Sequence, residues 1–180
     1  MEGLPVIDIS SSGAPGEIDR ACRDTGFFLI AGHQVPSADL IALDEAARAF
    51  FARPAPEKAE VAMTRGGRAW RGWFPEGGEL TAGRPDRKEG YYFGTDLPAD
   101  DSRVAGGLLL HGPNLYPAHP PSLRPSVDRW MAEMTDLGHR LLGLIALGLG
   151  LEADWFRRRL TAEPTVLFRI FRYPADGHVV

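Results

Sequence analysis

The five histidines are the side chains in this sequence most able to hold a catalytic metal ion. They are His33, His111, His119, His139 and His178. A mononuclear iron site needs two histidines and one carboxylate. Two of these ligands commonly come from one strand as His-x-Asp or His-x-Glu, because alternate strand residues point to the same side. None of the five histidines has Asp or Glu two positions later, and the zinc spacing His-Glu-x-x-His is also absent. The histidines therefore predict no metal site within these 180 residues.

Other motifs that commonly carry catalysis are also missing. Gly-Gly pairs at residues 66–67, 77–78 and 106–107 lack the strand–glycine–helix context of a phosphate loop, and there is no Gly-x-Ser-x-Gly elbow. The single cysteine, Cys22, is predicted to be a small core residue on a helix rather than a nucleophile. The residues alone therefore predict a mixed domain with no complete active site and no catalytic residue of its own.

Composition and charge restrict the class of partner. The chain carries 20 basic and 24 acidic residues for a formal net charge of -4, and it has no basic stripe to neutralise phosphates, so we expect no nucleic-acid partner. The longest apolar stretch, residues 141–151, is too short to span a bilayer and is interrupted by glycine. The N-terminus lacks the features of a signal peptide, so a cytoplasmic location is the default expectation. The sequence leaves the oligomeric state open.

The elements of the first third follow from apolar patterns and breakers. Residues 6–9 predict a strand, residues 17–25 a short helix that stops at Gly26, and residues 27–30 a strand buried on both faces. Ser37 is a candidate N-cap for a helix whose apolar positions run to Phe50. Residues 65–101, rich in glycine and aromatics, predict short strands and loops.

The last third contains the strongest helical pattern. A proline-rich connector at residues 113–125 leads into apolar residues at steps of three and four from Trp130 to Leu144, with further ones up to Leu149. We expect this helix to be deeply buried and to end at Gly148 or Gly150. A short helix over residues 152–159 and a strand over residues 165–173, stopped by Pro174, complete the chain.

Several segments, read in order, resemble one enzyme family. They are LPVIDI at residues 4–9, DTGFFLIAGHQVP at 24–36, RGWFP at 71–75, KEGYYFG at 88–94, HGPNLYP at 111–117 and FRIFRYP at 168–174. Two of them depart from the family pattern: Gln34 stands where Gly is usual, and Tyr116 stands for Trp. The chain is similar to the isopenicillin N synthase-like oxygenases that depend on iron(II) and 2-oxoglutarate. Each match alone is weak, but their order along nearly the whole chain is specific.

The resemblance implies an α+β fold: the N-terminal helix and strand region of a double-stranded β-helix (jelly-roll) oxygenase, with the catalytic barrel largely missing. It implies a division into an N-terminal region of the non-haem dioxygenase type at residues 1–120, and a long core helix and first strand at residues 121–180. In the family the iron ligands and the Arg-x-Ser that holds 2-oxoglutarate follow the Tyr-Pro strand, which here is Tyr173-Pro174. The chain is thus expected to be truncated before its iron ligands.

The implied function is oxidation of a small organic substrate, by hydroxylation, desaturation or ring closure, using Fe(II) and 2-oxoglutarate. We expect neither cofactor to bind tightly to this chain, and we expect it to be inactive alone. The alternative is a non-catalytic binding or interaction protein derived from the same region. The sequence does not identify the substrate, or tell whether 2-oxoglutarate is used.

Three residues match family positions near the active site. Tyr173 matches a tyrosine that lines the cosubstrate or substrate site, and its hydroxyl can hydrogen-bond a carboxylate. Arg71 and Phe74 lie where the family's N-terminal region contributes to the substrate pocket. The alternatives remain an ordinary strand tyrosine for Tyr173, and purely structural roles for Arg71 and Phe74.

Overall fold

The computed structural model describes residues 3–81 and 83–174, and the chain divides into two compact units. The first unit comprises Met1–Ser37 and Ala132–Pro164; the second comprises Ala38–Met131 and Thr165–Val180. Each unit is built from two distant segments. The predicted boundary at residue 120 is not tested by this division and stays a prediction. None of the described helices combines the length and the apolar character that a bilayer crossing requires.

The first unit contains a small β-α-β arrangement. Strand β1 (Val6–Asp8) pairs in parallel with β2 (Leu29–Ala31), and helix α1 (Ala14–Asp24) connects them. Ile7 on β1 and Ile18 on α1 are buried together with two alanines of α1, and Leu144 and Ile145 pack against this cluster. A tight turn follows β2: a Cβ on Gly32 would lie 2.0 Å from the Asp8 carboxylate, so only glycine fits there.

Two predictions about which side chains are buried in this unit are wrong. Phe27 and Leu29 were expected to be buried on both faces of a strand, but they are 70% and 53% exposed. Leu29 stands opposite the exposed Val6, on the face that points away from the buried cluster around Ile7. Cys22 is exposed rather than a core residue, because Ile18 and Ala21 are the positions of α1 that face the cluster. The connecting helix itself was predicted correctly, although it begins three residues earlier than expected.

The described part of the C-terminal third contains a long helix and a short one. Helix α5 (Leu123–Gly148) has 26 residues, and helix α6 (Trp155–Arg159) follows it. The prediction of a long helix ending at Gly148 is confirmed. The prediction of deep burial is wrong, since most of its side chains are only partly buried and Leu147 is 47% exposed.

The second unit is built around a three-stranded antiparallel sheet. Helix α2 (Ser37–Phe51) is followed by α3 (Ala55–Lys58) and by three 3-10 turns between residues 59 and 69. The sheet has the strand order β3 (Gly72–Phe74), β6 (Glu89–Gly94) and β7 (Leu167–Arg172). A hairpin of β4 (Leu80–Thr81) and β5 (Arg84–Pro85) lies between β3 and β6 in the sequence, and α4 (Ser102–Ala105) follows β6.

One face of this sheet supplies the core of the second unit. Trp73, Tyr91 and Phe93 alternate along β3 and β6 and are at most 5% exposed. They pack with Phe50 and Phe51 of α2. Tyr91 and Phe93 stack with ring centroids 4.2 Å apart, and the Tyr91 hydroxyl donates a hydrogen bond to the Leu115 carbonyl. The alternation that buries these side chains directs their neighbours on each strand to the opposite face.

A buried charge cluster lies at the end of the core face. Glu89 and Lys58 each have side chains only 7% exposed, and Lys58 Nζ lies 2.6 Å from Glu89 Oε2. Trp73 Nε1 donates to the same oxygen at 2.9 Å, and Arg172 Nη1 donates to Glu89 Oε1 at 2.7 Å. Burial raises the pKa of Glu89, but the donors Lys58, Arg172 and Trp73 together outweigh that effect and hold the pKa below its ordinary value.

Candidate functional site

The opposite face of the sheet gathers aromatic rings around one glycine. Phe74 and Phe171 both stand opposite Gly90 in the strand register, and Tyr92 is two residues further along β6. A Cβ on Gly90 would lie 2.5 Å from the Phe74 ring and 2.7 Å from Phe171, so the absence of a side chain lets the rings meet. We call Trp70, Phe74, Tyr92, Arg169 and Phe171 the aromatic face.

The aromatic face has a buried base and an exposed rim. Phe74 and Tyr92 are each 4% exposed, with ring centroids 5.7 Å apart, and each lies about as close to Phe171. Trp70 is 53% exposed and stacks on Tyr92 at 6.2 Å. Arg169, directly opposite Tyr92 in the register, is also exposed. Rings below and a guanidinium above form a surface on which a flat ligand can stack.

The backbone conformation at Trp70 helps to place its side chain at the exposed rim of the aromatic face. Trp70 has φ 57° and ends the last 3-10 turn in the left-handed conformation, which is uncommon for a bulky residue. Leu110, across from it, has φ 64°, and its amide donates to the Arg68 carbonyl. Such conformations persist only where the surrounding structure fixes them.

Arg71 is the side chain that fixes this region. It is fully buried; Nη1 donates to the Ala69 carbonyl at 2.6 Å, and Nη2 donates to the Leu110 carbonyl at 2.8 Å. Its guanidinium fills the space where a Cβ on Gly94 would lie, 2.1 Å away. Its Nε has no hydrogen-bond partner among the described residues. Burial lowers the pKa of Arg71, and the nearby Asp96 charge partly opposes that effect.

The three residues selected from the sequence are therefore placed at different depths. Phe74 is at the base of the aromatic face, and Arg71 is buried behind its rim. Tyr173 follows β7, is 66% exposed, and has its ring centroid 6.5 Å from that of Phe171. Phe171 thus contacts both Phe74 and Tyr173, whereas Arg71 forms its hydrogen bonds with backbone carbonyls. Their functional roles stay predictions.

Sequence reasoning missed four members of the aromatic face: Trp70, Tyr92, Arg169 and Phe171. A usable signal was present for two of them. In the strand over residues 165–173, Phe168, Ile170 and Arg172 alternate with Arg169 and Phe171. Period-two alternation puts Arg169 and Phe171 on one face. Nothing in the sequence showed that Tyr92 lies directly opposite Arg169, because that pairing joins distant segments.

Two cations flank the Phe171 ring, and their environments differ. Lys88 Nζ lies 4.7 Å from the ring centroid and Arg169 Cζ lies 5.4 Å from it. Lys88 is paired with Asp86 at 2.9 Å and Glu79 at 3.3 Å, and hydrogen bonds to these carboxylates raise its pKa. Arg169 contacts the rings of Tyr92 and Phe171, and no ion pair to it occurs in the part of the chain that the structure describes.

A separate cleft of about 820 Å³ lies within the first unit, along α5. Its lining includes Glu133, Asp136 and His139, which follow one another at steps of three on the helix. His139 was expected to be partly buried and hydrogen-bonded; it is partly buried, but its Nδ1 atom has no hydrogen-bond partner within residues 3–81 and 83–174. Arg140, also in the lining, donates to the His33 carbonyl at 2.6 Å.

The described residues do not fit a metal centre. Within residues 3–81 and 83–174, no three His, Cys, Asp or Glu side chains lie close enough together to hold an ion. His33 accepts a hydrogen bond from the Val35 amide, and His111 Nδ1 lies 2.8 Å from the Leu109 carbonyl. These contacts are local backbone contacts. His178 lies outside the described residues.

Comparison with known proteins establishes the family. The model of the family described as "non-haem dioxygenase in morphine synthesis N-terminal" matches residues 4–119. Because that match covers well over half of the 180 residues, the chain belongs to this family. The resemblance inferred from the sequence motifs is thereby confirmed. The aromatic face includes residues from inside this range and residues of β7 beyond it.

Two curated relatives show how far the similarity extends. The chain is 37% identical to a probable iron/ascorbate oxidoreductase of Dictyostelium discoideum, over 97% of this chain and 53% of that protein. It is 34% identical to clavatol oxidase claD of Penicillium crustosum, over 95% of this chain and 57% of that protein. The chain therefore spans about half the length of the curated relatives it matches.

Solved structures agree with the fold. A 2OG-Fe(II) oxygenase family protein from Caulobacter crescentus superposes with a TM-score of 0.78 at 25% identity, over 97% of this chain and 57% of that one. A full-length Neurospora crassa protein in complex with alpha-KG gives a TM-score of 0.74 at 22% identity, over 95% of this chain and 54% of that one, which supports the fold alone. The mixed helix and sheet architecture is therefore that of 2OG-Fe(II) oxygenases over the matched region.

Proposed function

We propose that this chain is the N-terminal part of a non-haem iron(II) and 2-oxoglutarate-dependent oxygenase acting on a small organic molecule, and that the aromatic face is one wall of its substrate site. The family match over residues 4–119 supports the class of enzyme. The single observation that carries the location is the meeting of Phe74 and Tyr92 with Phe171 of β7 over Gly90. Aromatic side chains with a few convergent polar groups are typical of small-molecule sites.

The fold proposal follows from strand β7. It lies at one edge of the sheet, and no described strand pairs with its outer side. A cleft of about 580 Å³ runs along Ile170, Phe171 and Arg172 beside α2. We propose that residues 1–120 are the family's N-terminal region and that residues 121–180 lead into its catalytic jelly roll. A further strand added to β7 would satisfy its free backbone groups.

We also propose roles for the three residues selected from the sequence. Tyr173, exposed at the end of β7, is placed to offer its hydroxyl to a carboxylate of the cosubstrate or substrate. Phe74 supports the site from its base. Arg71, buried with its hydrogen bonds to Ala69 and Leu110, acts on the substrate wall by fixing the backbone beside Trp70. A cytoplasmic location and the absence of a nucleic-acid partner remain predictions.

Residues 3–81 and 83–174 contain no set of ligands for the iron that such an enzyme uses. Bound Fe(II) supplies oxygen activation in such enzymes, but the described residues provide no ligand set, so we derive no step through the metal. We expect the purified 180-residue chain to consume no 2-oxoglutarate when supplied with Fe(II), ascorbate and oxygen. Stoichiometric Fe(II) binding with 2-oxoglutarate turnover would overturn this expectation.

The location of the site can be tested by ligand binding. The amide signals of the isotope-labelled chain would be followed by NMR during titration with a small neutral aromatic probe, phenylacetamide. We expect the shifts to concentrate at Gly90, Tyr92 and Phe171, and Phe171→Ala to weaken binding. Phe27→Ala, which removes a 70% exposed ring in the first unit, is the matched control. Shifts confined to the α5 cleft would refute the proposed location.

A further inference from the structure

The aromatic face carries a positive charge that forms no ion pair with a carboxylate of the described residues. Arg169 is exposed, lies 5.7 and 5.4 Å from the ring centroids of Tyr92 and Phe171, and also interacts with the Tyr92 hydroxyl, which donates a hydrogen bond to Glu79. No ion pair to Arg169 occurs among residues 3–81 and 83–174. A guanidinium that lies beside aromatic rings can still donate N–H hydrogen bonds to an anion.

Lys88, the other cation beside the Phe171 ring, can be compared with Arg169. Lys88 contacts the same Phe171 ring, but Asp86 and Glu79 hold it in two ion pairs and its side chain is only 13% exposed. The two carboxylates therefore neutralise the cation on one side of Phe171. The guanidinium on its other side has no such partner among the described residues. Of these two cations beside Phe171, the one without a carboxylate partner among the described residues is Arg169, at the exposed rim.

A second cation adds to the field behind this rim. The Arg71 guanidinium is fully buried, is bonded to carbonyl oxygens, and has an Nε without a partner among the described residues. Gly94, against which it packs, lies two residues from Tyr92 on the same side of β6. Buried charge is screened less than exposed charge, so Arg71 adds positive potential near Gly94, and the nearby Asp96 carboxylate offsets part of it.

We propose that the aromatic face binds a planar organic acid, whose carboxylate pairs with Arg169 and whose apolar body rests on the rings of the face. This inference rests on the proposed function and specifies the substrate class of that site. The exposed Trp70 and the half-buried Phe171 provide the surface for the apolar body. Arg169 provides the bidentate geometry that fits a carboxylate. The same chemistry would accept a carboxylate of 2-oxoglutarate, so the test must separate the two sources.

The test compares three probes on the full chain by calorimetric titration: phenylacetate, its neutral isostere phenylacetamide, and 2-oxoglutarate. An exposed charge pair typically changes affinity a few-fold, so phenylacetate should bind about two- to fivefold more tightly than phenylacetamide. The advantage should shrink as salt is raised, because the pair is exposed. 2-Oxoglutarate, which has no planar apolar body, should bind more weakly than phenylacetate.

Variants assign the effect to one side chain. Arg169→Gln should weaken phenylacetate binding about two- to fivefold and leave phenylacetamide binding unchanged, and Arg169→Lys should recover only part of the loss. Arg129→Gln removes the same charge from a side chain that is 69% exposed elsewhere in the second unit, and it should bind both probes as the unaltered chain does. A thermal unfolding midpoint measured for each variant confirms that it is folded.

The outcomes separate the two proposals. Equal affinity for acid and amide in the unaltered chain, with shifts at Gly90 and Tyr92, would keep the site but overturn the carboxylate. Tighter binding of 2-oxoglutarate than of phenylacetate would assign the charge to the cosubstrate and overturn the planar acid. Absence of any binding at the aromatic face would overturn both this inference and the proposed location of the site.

Discussion

Replacement of Glu89 by glutamine tests the buried charge cluster. The change keeps the shape of the side chain but removes the charge that faces Lys58 Nζ at 2.6 Å and Arg172 Nη1 at 2.7 Å. Since the side chains of Glu89 and Lys58 are only 7% exposed, an ammonium would remain buried without its counter-charge. Removing one partner of a buried pair costs about 3–5 kcal/mol, which is a large part of the total stability of an ordinary domain.

The assay is urea unfolding at neutral pH, followed by tryptophan fluorescence. We expect Glu89→Gln to lower the free energy of unfolding by about 3 kcal/mol, without changing the dependence on urea. The double variant Lys58→Met/Glu89→Gln should recover part of this loss, because the stranded ammonium is gone and the amide can still accept from Trp73 Nε1. Glu76→Gln is the control; its pair with Arg87 is about half exposed and contributes roughly 0.5 kcal/mol or less.

The same cluster predicts a pH dependence. The pKa of Glu89 is lowered in the fold, so its contribution to stability is present above its ordinary value of 4.5 and is lost as pH falls below that value. Glu89→Gln should therefore lose less stability than the unaltered chain between neutral pH and the acid range. A Glu89→Gln variant within about 0.5 kcal/mol of the unaltered chain, on the scale of an exposed pair, would refute the reasoning. So would strictly additive losses in the double variant.

Further predictions concern the glycines and the phenols. Gly90→Ala should destabilise the chain by about 1–3 kcal/mol, because the new Cβ would meet the Phe74 ring at 2.5 Å. Gly138→Ala, in α5 with nothing within 4 Å, should stabilise it by roughly 0.5–1 kcal/mol; urea unfolding measures both, and a stabilising Gly90→Ala would contradict the close packing of the rings. Burial raises the pKa of Tyr91, Tyr92 and Tyr116. Their ionisation, followed by absorbance near 295 nm, should lag behind that of free tyrosine and accompany unfolding, and the stability they confer should fall as pH rises above about 10. Full ionisation of all three at about pH 10 in the folded chain would contradict this.

The sequence predicted helices and strands well where neighbouring residues alone determine their bounds. The strand expected at residues 165–173 is observed as Leu167–Arg172, and the helix expected to follow an N-cap at Ser37 is observed as Ser37–Phe51. A proline such as Pro174 acts through its own backbone, which lacks an N–H, and needs no distant partner. The starting point of the long helix was less sharp, because residues 113–125 were assigned to a connector and α5 begins at Leu123.

Burial and the candidate site were predictable only in part, because both depend on distant pairing. Leu29 is apolar and lies in a strand, yet it is 53% exposed because it lies beside Val6 on the face that points away from the cluster around Ile7. Phe74 was selected from the sequence, but its partner Phe171 comes from a segment almost a hundred residues later. Arg71 was selected because it matches a family position near the substrate pocket; its burial against Gly94 depends on contact between distant segments.

Strand β7 also has a consequence for how the chain reaches its fold. Its hydrogen-bonded neighbour β6 precedes it by a wide interval, and the contact between Arg172 and Glu89 joins residues 83 positions apart. Contacts of such long sequence separation slow folding, because chain entropy is lost before they form. During synthesis, β6 leaves the ribosome long before β7 and exposes one edge and a half-neutralised carboxylate. A chaperone binding to nascent chains would meet β6 in that interval, so β6 is the segment on which aggregation during translation should depend.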